Sequence, residues 1–179
     1  TGDMGYLDKD GWLYVLGRFK SLLIGNDGEK YSPEGIEEAI VEHSPFIQQV
    51  MLYNNQNAYT SGMIVPEIEA INRELKKEGI EPGSEEGNTR TLQLIQNEIN
   101  NYRKGGKHEG MFPERWLPAT IVILPEAFSQ NNGLLNATMK MVRGKINEYF
   151  DKELEFLYTP AAKNIENELN LPAIKKWNK

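Results

Sequence analysis

The sequence contains no cysteine. That absence removes disulfides, thiolate zinc sites and cysteine nucleophiles together, and it fits a reducing compartment. Histidine is nearly as scarce: His43 and His108 are the two residues of this type. Neither has a second candidate ligand or nucleophile beside it in sequence, so both are expected to be structural or solvated. No apolar run approaches the ~18 residues that a bilayer-spanning helix needs. Positive charge is in deficit, with 20 Lys and Arg against 26 Asp and Glu and a net charge of −6. That balance argues against a nucleic-acid footprint or a polybasic membrane anchor. Internal repeats, low-complexity tracts and a signal-peptide pattern are also missing. The chain starts at Thr1 and reads straight into a strand pattern, from which we expect a piece of a longer protein.

What is present is an ordinary globular composition, 39% hydrophobic and 26% charged over 179 residues. That is one domain, or one domain with an appendage, and it is long enough to build a core. Residues 1–17 read as a hairpin, with a turn at Asp8-Lys9-Asp10-Gly11 and an apolar run from Trp12 to Leu16. Leu22 to Ile24 form a short strand, punctuated by Gly25-Asn26-Asp27-Gly28. Ser32-Pro33 looks like a hydroxyl cap followed by proline at the first helical position, opening a helix with Ile36 and Ile40 on its apolar face. Strands are expected at 47–53 and 61–65. A second helix follows Pro66, with Ile68, Ile71 and Leu75 in phase.

By composition, residues 80–89 are loop, and 90–103 form a third helix. Thr120 to Leu124 is a strand, 125–140 a long loop, and helices are expected over 142–157 and 160–170. Trp12, Trp116 and Trp177 read as packing or anchor residues. The resulting order is α+β: an N-terminal β-hairpin, then a small mixed sheet of about three strands with helices packed on it.

Three segments carry potential chemistry. Thr1-Gly2-Asp3 alone is no more than a turn at the head of a hairpin. Residues 17–40 place an Arg and a Lys around a short strand, then a glycine turn and a proline-started helix. Residues 131–146 gather Lys140, Arg143 and Lys145 around a glycine-containing polar loop. Such a basic cluster in an acidic chain suits an anion such as phosphate or carboxylate; each lysine taken singly reads equally as a solvated helix start.

In this order and at these distances, the three segments resemble the C-terminal domain of the AMP-forming acyl-CoA synthetases, within the adenylate-forming superfamily. That family's pattern opens with TGD. It continues with GR-x-[DK], a glycine, a proline and a helix rich in Ile and Glu, and later a loop with an essential lysine. Here the residues are Thr1-Gly2-Asp3, Gly17-Arg18-Phe19-Lys20, Gly28, Pro33 and Ile36-Glu37-Glu38. The lysine loop looks most like the long-chain fatty acid–CoA ligase branch, which reads E-x-F-[ST]-x-[ED]-N-G-L-L-T-x-T-x-K-x-x-R. The corresponding run is Glu126-Ala127-Phe128-Ser129 through Asn132-Gly133-Leu134-Leu135 to Thr138-Met139-Lys140 and Arg143. The resemblance covers residues 1–158 and stops before the tail.

The resemblance implies a domain division. Residues 1–19 would be a hairpin remnant of a large N-terminal domain with its linker, and 20–158 the lid domain, with a family-type helical insertion at 68–115. Residues 159–179 would be a helical tail. It implies ATP-dependent adenylation of a fatty acid followed by thioester formation with CoA, and inactivity without the N-terminal domain. Magnesium would arrive with ATP and be held by that other domain, so no metal ligand is assigned here. A cytoplasmic location and a peripheral membrane contact of the full-length protein are implied as well, and no nucleic-acid partner.

Residue by residue, Asp3 matches the aspartate that accepts hydrogen bonds from the ribose diol, two oxygens suiting two hydroxyls. Arg18 matches an arginine near the same ribose and phosphate. Lys20 takes the hinge position. Gly28 matches a glycine turn near the pantetheine arm of CoA. Lys140 matches the lysine that meets the substrate carboxylate and the α-phosphate. A different register, with glycine just before the lysine, would instead promote Lys145. Two readings remain open beside this one: an acyl-adenylating enzyme that loads a carrier protein, and a non-catalytic interaction module.

Overall fold

The computed structural model describes residues 3–18 and 21–178. The hairpin pairs β1 (Asp3–Leu7) with β2 (Leu13–Arg18) in antiparallel register. Its turn is held by the Asp8 carboxylate, which accepts from the amides of Asp10 and Trp12 at 2.9 Å each. Gly11 sits at φ +84°, where a side chain would be strained. Tyr6 and Tyr14 are register partners and stack at 5.0 Å. The hairpin shows apolar side chains to solvent on both faces: the Tyr6–Tyr14 pair on one, the Leu7–Leu13 pair on the other, with Trp12 also exposed. Trp12, expected to pack, is therefore open to solvent.

A small second sheet has the order β4-β3-β6, built from β3 (Leu23–Gly25), β4 (Lys30–Tyr31) and β6 (Asn55–Asn57). The last two were not evident in the sequence, being two and three residues long and polar. The helix α1 (Glu34–His43) follows. Pro33, and not Ser32, occupies the cap, and no side chain closes it. Proline sets a helix-compatible φ of −75° there, while the residue before a proline is pushed to extended backbone. An extended serine before proline is compatible with capping, but here the first helical amides, Ile36 and Glu37, donate to the Pro33 carbonyl, so the helix begins one residue later than the serine would cap.

The central sheet has the order β5-β7-β8. Strands β5 (Ile47–Tyr53) and β7 (Ser61–Pro66) are antiparallel, and β7 is parallel to β8 (Thr120–Ile123). A parallel neighbour requires a crossover, here supplied by α2 (Ile68–Lys77) and α3 (Glu85–Asn100). Helix α3 starts five residues before the sequence suggested. Ser84 caps it by accepting from the Gly87 amide at 2.9 Å, with Glu85 and Glu86 in the first turn. A serine followed by acids is a helix-start signal that the local Gly and Pro obscured.

Alternation along the three strands divides the core into two layers. Leu52, Ile64, Ile121 and Ile123 pack with α1, α2, α3 and the final helix. Met51, Met63, Val65, Val122 and Leu124 face the other way, onto Phe128, Leu134, Leu135, Ile146, Phe150 and Leu154. The second layer carries the loop of interest. The helix expected over 142–157 is two pieces, α4 (Arg143–Tyr149) and α5 (Asp151–Phe156). They break at Phe150, whose backbone leaves helical geometry while its ring is buried. The helix expected over 160–170 is a 3-10 turn at Pro160–Lys163, and the true terminal helix is α6 (Asn170–Trp177). Among the described residues no helix is long and apolar enough to cross a membrane.

Candidate functional site

The loop between β8 and α4 is tied down at several points. At its start, Phe128 and Gln49 bond reciprocally: the Phe128 amide donates to Oε1 at 2.8 Å and Nε2 donates to the Phe128 carbonyl at 3.1 Å. Asn132 braces the next stretch, accepting from the Ser129 amide at 3.0 Å and donating to the Ala127 carbonyl at 2.9 Å. Leu134 and Leu135 plug the loop into the core. Leu135 and Met141 then form an isolated antiparallel bridge that closes a tight excursion of residues 136–140.

Asn136 organises that excursion. Its Oδ1 accepts from the Thr138 amide at 2.9 Å, the Thr138 hydroxyl at 2.8 Å and the Lys140 amide at 3.0 Å. Met139 adopts φ +60°, a left-handed conformation that costs energy in a non-glycine residue and tends to mark functional loops. Lys140 is exposed at this tip. Lys145, on α4, is exposed too, and lies beside Gly133: a β-carbon added there would be 3.9 Å from its ammonium.

The loop's far end is anchored by Arg143, which donates to the Glu37 carboxylate of α1 and, at 3.3 Å, to the Leu52 carbonyl of β5. Glu37 also accepts from the Leu52 amide at 2.6 Å. Burial pushes the Glu37 carboxyl up, against the opposing pull of the Arg143 guanidinium and the Leu52 amide. Two residues along, the Asn54 carbonyl accepts from the Ile24 amide at 3.2 Å, which links β5 to the strand before the glycine turn.

That turn spans Gly25–Glu29. The Gly28 amide donates to the Gly25 carbonyl at 3.0 Å, the Gly25 amide to the Glu29 carbonyl at 2.8 Å, and Asp27 Oδ1 accepts from the Glu29 amide at 3.0 Å. Gly28 is exposed at φ +82°. Glu29 turns away to meet Arg115 in a two-pronged ion pair, both contacts at 2.5 Å, and accepts from Trp116 Nε1 at 3.1 Å. These donors hold the Glu29 carboxyl down at about 2.

The candidates fall on three elements. Asp3 and Arg18 are backbone register partners at the open end of the hairpin. Gly28 is in the β3–β4 turn. Lys140 is in the β8–α4 loop, linked to that turn through Arg143, Leu52, Asn54 and Ile24. Lys20, with Thr1 and Gly2, lies outside the described residues. The roles of Glu37, Arg115 and Asn136 were not foreseen, while Trp116, expected to pack, stacks on Tyr31. Glu37 was detectable, since it shares the apolar face with Ile40. Asn136 could have been found from its Asn-x-Thr spacing, which favours an Asx turn. The histidines are not isolated: His43 and His108 stack at 4.4 Å, and His43 Nδ1 is 3.0 Å from the Tyr102 hydroxyl. Sequence separation hid this contact. Among the described residues no three His, Asp or Glu side chains converge on a cation site.

No family model matches the chain. Individual proteins do. Long-chain fatty acid–CoA ligase 6 of Rattus norvegicus is 31% identical over 159 residues, 89% of this chain and 22% of the relative. Long-chain fatty acid–CoA ligase 1 of Homo sapiens is 30% identical over the same shares. The chain belongs to the long-chain fatty acid–CoA ligase branch of the adenylate-forming enzymes. It spans less than a quarter of the length of these ligase relatives. In fold it is similar to the adenylation domain of a carboxylate reductase from Mycobacterium chelonae, with TM-score 0.70 and 24% identity over 88% of this chain and 22% of that one. The corresponding domain from Segniliparus rugosus, solved with AMP and a carboxylic acid, gives a TM-score of 0.63 and 23% identity over 88% of this chain and 23% of that one.

Proposed function

We propose that the chain is the lid of an ATP-dependent fatty acid–CoA ligase, which forms an acyl-adenylate and then transfers the acyl group to CoA. The observation that carries this reading is the presentation of Lys140: an exposed ammonium on a tip braced by Asn136, at the end of a loop fixed to the core by Phe128 and Arg143. Adenylation brings a carboxylate against the α-phosphate of ATP, two anions that repel. An ammonium delivered by a closing domain offsets the charge that gathers on phosphorus without abstracting a proton. Lys140 is assigned that task. Lys145 projects from a helix beside Gly133 and serves the loop.

In this reading Asp3 and Arg18 bind the ribose and phosphate. Lys20 is the hinge, and the Gly28 turn approaches the pantetheine arm. Residues 1–19 pack on a larger N-terminal domain, which would cover the exposed aromatic face of the hairpin; residues 20–158 form the lid and 159–179 its tail. Magnesium would come with ATP and be held by the larger domain.

The test uses the whole enzyme that carries this chain. Lys140→Ala is expected to lower adenylation, read as ATP–pyrophosphate exchange with a fatty acid, by ~10²–10³. It is expected to spare thioester formation from preformed acyl-adenylate. Equal loss in both steps, or a larger loss for Lys145→Ala, overturns the assignment. Supplying CoA or a carrier protein as acceptor separates the two acyl-transfer readings.

A further inference from the structure

The Glu29 side chain reaches out of the glycine turn to partners far away in sequence. Arg115 and Trp116 lie 86 and 87 residues on, in the 3-10 turn Glu114–Trp116 that closes the long excursion between β7 and β8. The grip has two parts. The Arg115 fork takes both carboxylate oxygens of Glu29, and the Trp116 N–H adds a third bond. The Trp116 ring also stacks on Tyr31 at 5.1 Å and 5°. Tyr31 is itself pinned, through its hydroxyl, to Thr60 and to Asn54 Nδ2. The Glu29–Tyr31 end of the segment is thereby tied to the 3-10 turn, Thr60 and Asn54, while its Gly25 end pairs with Asn57 of β6; inside the turn the Asp27 side chain adds one brace.

The neighbouring cleft, lined by Asn54, Asn57, Tyr59 and Trp116 among others, is about 50 Å³. That is room for a few water molecules. The Arg115 guanidinium is committed to Glu29, so it acts on the turn and not on a molecule held in the cleft.

We propose that Arg115 is a positioning residue for the acyl-transfer step, acting through Glu29 to hold the Gly25–Glu29 turn where the thiol-bearing arm passes. This rests on the functional reading above. A displacement of the turn by an ångström would misplace the arm, and such errors cost up to ~10²-fold in rate. Adenylation, which uses the opposite layer through Lys140, does not depend on this contact.

The two half-reactions of the whole enzyme separate these ideas. Arg115→Ala is expected to leave ATP–pyrophosphate exchange within about two-fold and to lower the rate of thioester formation from preformed acyl-adenylate by about 10- to 100-fold. Arg115→Lys should recover little, because a lone ammonium cannot engage both oxygens as a fork does. The exchanged pair, Glu29→Arg with Arg115→Glu, should recover much of the loss. Trp116→Phe, which keeps the stack and removes the N–H donor, should show a weaker version of the same pattern. Equal loss of both steps, or no loss in either, overturns the role of Arg115 and leaves the functional reading intact. A parent enzyme that performs neither step overturns both.

Discussion

Glu37 and Arg143, 106 residues apart, meet at Leu52 and serve both polar groups of its peptide: the carboxylate takes the amide and the guanidinium gives to the carbonyl. Strand β5 is an edge of the central sheet, and an unpaired edge is a liability that proteins cover. Here the cover is an ion pair whose side chains are 5% and 17% exposed. The same pair seats the Lys140 loop on α1.

Breaking one side should be severe. Arg143→Met leaves a buried carboxylate unpaired, which typically costs about 3–5 kcal/mol. Glu37→Gln keeps the acceptor for Leu52 and should cost less. The double variant Glu37→Leu/Arg143→Met should recover part of the loss, the Leu52 amide still lacking a partner at about 1–3 kcal/mol. Urea unfolding of the parent, Glu37→Leu, Arg143→Met and the double variant closes the cycle, and additive losses would refute the coupling.

Asn136 offers a separate handle on Lys140. Its one oxygen shapes the tip through three donors. Asn136→Ala should therefore lower adenylation on the order of 10-fold while leaving the lysine itself in place, in keeping with the cost of a misplaced group. Asn136→Asp keeps the acceptor and should stay close to the parent. Equal activity of all three proteins in ATP–pyrophosphate exchange would remove Asn136 from the site.

How far the sequence went can be read from these same residues. Strand β5 was legible to the residue, because the apolar run Val50 to Tyr53, led by Ile47, follows directly on the Ser44-Pro45 helix stop. Helix α2 was legible from its threefold spacing. The α+β class and the mixed three-stranded sheet followed from element order. What was not legible depends on distance along the chain. Glu37–Arg143, Glu29–Arg115 and the histidine stack join residues 65 to 106 positions apart, and no local pattern encodes such partners. Strands β4 and β6 are too short to show a period. The helix start at Pro33 was off by one residue: its carbonyl, not that of Ser32, takes the first helical amides.

The Glu29–Arg115 tie carries a pH signature. The Glu29 carboxyl is held down from its ordinary value of 4.5 to about 2, chiefly by Arg115 and then by Trp116. A depressed carboxylate contributes stability that is complete above its unfolded value and fades as pH falls. The tie should therefore hold above about pH 4.5 and be lost as pH falls toward 2. A side-chain NMR titration of Glu29 reads this directly. Arg115→Ala should return the midpoint toward 4.5, and a midpoint unmoved by that change would show that Arg115 is not the cause.

The opposite edge of the sheet is covered by the tail. Asn170, fully buried, accepts from the Ile123 amide at 2.7 Å and donates to the Ile121 carbonyl at 3.3 Å, so a single side chain occupies the place of a neighbouring strand on β8. Two further bonds fasten the same edge: Thr120 Oγ1 donates to the Leu157 carbonyl at 2.9 Å and Trp177 Nε1 to the Leu124 carbonyl at 2.7 Å. Asn170 Nδ2 also donates to the Ile165 carbonyl at 3.0 Å, so Asn170→Ala leaves the Ile123 amide and the Ile121 and Ile165 carbonyls without it and should destabilise the fold by about 1–3 kcal/mol for each buried group left unpaired. Asn170→Asp keeps the acceptor for Ile123 and loses the donor to Ile121, so its cost should fall between the parent and the alanine variant unless the new charge is itself unpaired, in which case it exceeds both. Native-state hydrogen exchange separates these outcomes. The Ile123 amide should lose protection in Asn170→Ala, while the amides of β7, sheltered between two strands, should exchange only through global unfolding. Unchanged protection at Ile123 would mean that α6, and not Asn170, shields this edge.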